Sequence, residues 1–130
     1  MAYLNDRVLD NGLTVLDTEA DRLYLCTSSL SLANATPPTY TEATSTYALG
    51  NKTGISIGAP ADGASNGRRV TVGAITGGNV TVTNTAHAWA LVDSANSRVL
   101  AAGTLAADQA VTNGNTFSLA AFDITLPDPA

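Results

Sequence analysis

Apolar residues along this chain keep two different rhythms. Near the start, Leu9, Leu13, Leu16 and Ala20 recur at steps of four, three and four, the spacing that lines one face of a helix. Asp6, Asp10, Asp17, Glu19 and Asp21 fall mostly off that stripe, on the side expected to face solvent. Gly12 and the β-branched Thr14 and Val15 disfavour the helix, and Asn11-Gly12 is a type I′ turn signal that makes a hairpin the competing structure. The stripe predicts a helical segment over residues 1–21, followed by a strand in "RLYLCTS" from Arg22 to Ser28.

Residues 29–54 interrupt the pattern. Pro37-Pro38 forbids a central strand or a helix interior at that point. "TYTEATSTYALG" reads as a short helix stopped at Gly50 in the C′ position, with Tyr40 and Tyr47 pinning it to the core. Residues 58–67, "GAPADGASNG", have the composition of a loop.

From Arg68 the rhythm has period two. Val70, Val72 and Ala74 alternate in "RRVTVGAI", and Val80 and Val82 in "GGNVTVTN", as half-buried strands do. The intervening "TGG" predicts a tight hairpin between them. "HAWALVD" and "RVLAAGTL" flank "SAN" as a second hairpin, and "NGN" at 113–115 introduces a last strand, "TFSLAAFDITL". Short strands at this spacing predict a mainly β fold, an antiparallel β-sandwich or barrel-like domain over residues 22–130. With the short N-terminal helix it forms one folded unit.

Composition narrows the chemistry. At 130 residues the chain is long enough to build a core without a disulfide or metal. Its only cysteine, Cys26, cannot form an internal bridge and reads as a small buried hydrophobe in a reducing compartment. Eleven acids against six bases give a net charge of −5, so nucleic acid is not an expected partner. The one basic pair, Arg68-Arg69, reads as a solvated strand end. No apolar run reaches the length of about 18 residues that a membrane helix needs, so no membrane partner is expected. "MAYLNDRVLDNG" carries acids where a signal peptide is basic and then apolar, which predicts a soluble protein not exported by that route. Charged residues make up 13% of the chain, about half the usual share. A surface so poor in charge fits the subunit of an assembly.

Two residues invite a catalytic reading: His87, the only histidine, and Trp89, the only tryptophan. On a strand His87, Trp89 and Leu91 would share one face, with Trp89 and Leu91 inward and His87 at the rim. A metal site needs three or four ligands, and neither a second histidine nor a second cysteine exists to supply them. A nucleophile triad would combine His87 with a serine and an aspartate such as Asp93, but no G-x-S-x-G elbow marks a serine. The glycines of "GAITGG" lack the lysine and helix start of a phosphate loop. Asp62 in "DGASNG" is the best calcium candidate, without the alternating carboxylates of an EF-hand. Packing is the expected role of the pair, with no catalytic residue, cofactor or metal, and an enzyme is not expected.

Two stretches carry a resemblance. "RLYLCTS...PPTYTEATSTYALGNKTG" with "GAPADGASNGRRVTV" resembles small proteins encoded among the virion-morphogenesis genes of tailed bacteriophages. "HAWALVDSANSRVLAAGTLAADQAVTNGNTFSLAAFDITL" resembles the C-terminal β region of the same group: a W-A-L-x-D strand, a hairpin, L-A-x-G-x-L, then V-x-x-G-N before a closing strand. Together they span about Arg22 to Leu126. The resemblance implies a virion structural protein of the head decoration, head fibre or minor tail type, made in the cytoplasm of the bacterial host. The leading expectation is a capsid decoration (cement) protein bound to the major capsid protein on the outer surface of the head. The alternatives are a tail or neck component and a receptor- or glycan-binding module. Self-association, as a trimer by analogy with other decoration proteins, is expected through Leu9, Leu13 and Leu16, a stripe larger than a small sandwich must bury.

Overall fold

In a computed structural model, residues 3–4, 12–62 and 67–126 are described. The protein is mainly β, with antiparallel sheets curled into a half-barrel and a short helix near the N-terminus. The strands are β1 (Tyr3–Leu4), β2 (Arg22–Cys26), β3 (Ala48–Thr53), β4 (Ala61–Asp62), β5 (Arg68–Val72), β6 (Ile75–Val80), β7 (Asn84–Asp93), β8 (Arg98–Val111), β9 (Thr116–Leu119) and β10 (Phe122–Leu126). Seven of them form one sheet in the order β1-β8-β7-β2-β3-β6-β9, and three form a second in the order β10-β5-β4.

The centre of the large sheet is covered on both faces. On one face Leu23, Leu25, Trp89, Leu91 and Leu100 join the main core. Val70, Val72 and Ile124 of the small sheet belong to the same core. On the other, Tyr24, Cys26, Ala88, Ala90 and Val92 meet Leu30 and Ala43 of the 29–47 excursion, with Tyr40 and Tyr47 packed against them. Two covered faces explain why β2 and β7 read as nearly continuous apolar runs instead of alternating ones. Within the excursion, Glu42–Thr46 form a π-helical turn. Thr39 and Glu42 close it reciprocally: the Glu42 N–H donates to Thr39 Oγ1 at 3.1 Å and the Thr39 N–H to Glu42 Oε1 at 3.0 Å, a capping box.

The helix, α1, is shorter than the stripe predicts, covering Thr14–Glu19. Leu13 and Leu16 are buried in the chain's own main core, with Leu16 fully buried. These two side chains therefore do not lie on the surface of the folded chain, where the expected self-association stripe would need them. Leu9 lies outside the described residues. β1, from the same N-terminal segment, pairs with β8 through Tyr3↔Ala102 and Leu4↔Ala101.

Two turn predictions fail for one reason: glycines serve the sheet interior. β5 and β6 are not a hairpin, because β5 pairs with β10 and β4 while β6 pairs with β3 and β9. The chain changes sheets at Gly73-Ala74. Gly77, at φ 66°, sits where the β6–β9 register shifts, as in a bulge that needs a left-handed residue. Gly50 does not cap a helix. It lies inside β3, where a Cβ would come within 2.2 Å of the Asn79 carbonyl oxygen. The predicted last strand divides at Ala120-Ala121 into β9 and β10, which belong to different sheets. The β7–β8 hairpin forms as predicted.

Candidate functional site

β8 builds the two depressions of interest. Between the pairs Ala86↔Gln109 and Ala88↔Thr104, β7 advances past one residue, His87, while β8 advances past four, Leu105–Asp108. Such insertions re-aim side chains and break alternation. Ala86 belongs to the main core, yet Ala88, Ala90 and Val92 belong to the second cluster. His87 and Trp89 consequently line different depressions, correcting the expectation that they share a face.

The first depression is an apolar cleft of about 630 Å³ between Gly103–Ala107 of β8 and the Leu119–Asp123 connection. Trp89, 8% exposed, forms part of its wall and lies 4.7 Å from the Phe122 ring, tilted by 41°. The indole fits because its cross-strand partner is glycine: a Cβ on Gly103 would stand 2.8 Å from Trp89 Cζ2. The cleft separates two strand margins. Beyond Ala102, β8 has no pairing partner on the side away from β7 among the described residues. β10 is likewise the edge of its sheet. At the mouth, Thr71 Oγ1 donates to Asp123 at 2.7 Å and Arg69 donates to it at 2.9 Å. The Thr71 hydroxyl first, and then the Arg69 guanidinium, hold the Asp123 carboxyl below the usual aspartate range.

The second depression, about 540 Å³, is polar and gathers His87, Asp108, Asn84 and Tyr47 with the hydroxyls of residues 27–29, 46 and 85. His87 Nδ1 is 2.7 Å from Asp108 Oδ1, with the two side chains 39% and 59% exposed. Asp108, not Asp93, is thus the acid beside His87. Asp93 is buried six residues along β7 and accepts a hydrogen bond from Asn96 at 2.7 Å. The missed partner carried no sequence signal, because only the β8 insertion brings residue 108 opposite residue 87.

The remaining candidates have partners within the fold. Cys26 is buried, donates to the Ala43 carbonyl at 3.3 Å, and has its thiol pushed up to about 12 by burial. Asp62 accepts from Arg68 at 2.7 Å, so this carboxylate closes the β4–β5 pairing; residues 63–66 of its loop lie outside the described residues. The basic pair is likewise engaged, Arg68 with Asp62 and Arg69 with Asp123. Among the described residues no group of three or more His, Cys, Asp or Glu side chains could hold a metal ion, and no helix is long and apolar enough to cross a membrane. No family model, no curated protein and no solved structure matches the chain.

Proposed function

We propose that this chain is a structural protein of a tailed-bacteriophage virion, a capsid decoration protein that binds the major capsid protein on the outside of the head. The resemblance over Arg22–Leu126 supports the class. The observation that carries the mode of attachment is the apolar cleft between β8 and β10. An extended segment of the capsid protein laid there pairs its backbone with an open strand margin and rests its side chains against Trp89 and Phe122, the mode of β-strand addition. Repetition over the shell converts modest affinity at each site into lasting attachment. Self-association, as a trimer matched to symmetric positions on the shell, belongs to the same proposal. It is supported by the shortage of charge, since interface cores are depleted of charged residues.

The test compares wild-type virions with virions lacking the gene by cryo-electron microscopy, and adds purified protein back to the latter. Intact heads that lose surface density, and regain it with wild-type protein but not with Ala106→Arg, support the proposal. Ala106 is exposed and lines the cleft, so the arginine blocks the cleft while leaving the core untouched. Tailless or neckless particles would overturn it for a tail or neck component. Complete particles that fail to adsorb to the host would overturn it for a receptor-binding module.

A further inference from the structure

The polar depression beside His87 has no part in attachment through the cleft, and its chemistry is of another kind. We infer that it binds a neutral polyhydroxylated ligand, a pyranose saccharide, through His87, Asp108 and the hydroxyls around them.

The first argument is the pairing of His87 with Asp108. An ionised carboxylate only accepts hydrogen bonds, so Nδ1 must be the donor at 2.7 Å. In the neutral ring this leaves Nε2 as an acceptor. Asp108 keeps a second oxygen and further lone pairs, and both side chains are open to solvent. Acceptors therefore stand side by side, as recognition of adjacent sugar hydroxyls requires.

The second argument is the lining. Ser28, Ser29, Thr46, Thr85 and Tyr47 present hydroxyls that make no hydrogen bond to protein among the described residues. Each hydroxyl both donates and accepts, matching the double character of a sugar hydroxyl. Tyr47 is half-buried, packs against the second core cluster and lines the depression. That leaves an amphipathic aromatic side chain at the site to meet the C–H face of a pyranose. The volume, about 540 Å³, lies within the range of small-ligand sites.

The third argument is charge. Among the described residues no lysine or arginine lines the depression, and Asp108 contributes a carboxylate, so a phosphate or other anion is disfavoured. The site is also built rather than incidental, because three extra residues in β8 place Asp108 opposite His87.

The experiment titrates ¹⁵N-labelled protein with glucose, galactose, mannose and N-acetylglucosamine in turn, each into the millimolar range, with inorganic phosphate as the comparison. At least one sugar is expected to shift the amides of residues 27–29, 46–47, 85–87 and 108 and to leave those of 103–107 and 120–122 in place. His87→Ala and Asp108→Ala are each expected to weaken that sugar about tenfold, the loss of one hydrogen bond near the upper end of the usual range. Both positions are solvent-exposed, so an unchanged melting temperature distinguishes lost binding from lost folding. The inference is overturned if no sugar moves these amides, if phosphate moves them instead, or if both folded variants bind like the wild type.

Discussion

Trp89 shows how a single side chain depends on its neighbours. Its indole is buried against Phe122 and occupies the space that a side chain at residue 103 would need. Trp89→Ala should cost about 3 to 5 kcal/mol, and Gly103→Ala, which overpacks the same spot, about 1 to 3 kcal/mol. Both follow from urea denaturation, with the tryptophan signal available for the second variant. Cys26 makes a prediction about pH. Its thiol ionises near 9.0 when exposed and only near 12 in the fold, so the native state disfavours the thiolate. Stability from this residue is complete below pH 9 and declines as pH rises from there towards 12. Native protein should resist thiol reagents at neutral pH, and Cys26→Ala should remove part of the alkaline loss of stability seen by circular dichroism.

At the scale of elements, α1 is part of the core and not an appendage. Leu16→Ala should destabilise the whole chain by about 2 to 5 kcal/mol. Leu13→Asp places an unpaired charge in the same core and should unfold the domain instead of releasing intact subunits, a difference that circular dichroism with light scattering resolves. The β5–β10 pairing carries an acid-sensitive link through Asp123. Because its folded carboxyl titrates below its ordinary value of 3.8, the link is present above that pH and is lost as pH falls through the lower folded value. Asp123→Asn should therefore be less stable than wild type at neutral pH, with the difference closing in acid, as melting temperatures across the range will show.

Which elements were legible follows from where their information lies. The β7–β8 hairpin was readable because its partners are adjacent and the turn residues stand between them. The β5–β6 hairpin was misread because Gly77 and Gly78 look the same in sequence whether they turn a hairpin or serve a strand. Here Gly77 takes a left-handed backbone and Gly78 makes room for the Phe117 ring, which a Cβ would meet at 2.3 Å. The polar depression was illegible for a related reason. Its residues come from four separate stretches, and only the unequal lengths of β7 and β8 between their pairs bring His87 to Asp108.

For the whole molecule, the half-barrel has two cores divided by one sheet, and the helix, the small sheet and the 29–47 excursion are all needed to cover it. Damage to any of these covers should register as a single cooperative loss. The pairing of β1 with β8 adds a dimension of time. Tyr3 leaves the ribosome about a hundred residues before Ala102, a wait of about 5 to 20 seconds at ordinary rates of synthesis. At the end of that interval β7 is made before β8, which borders it, so an apolar strand keeps an open edge until β8 follows. Fragments ending before Arg98 would remain in that exposed state.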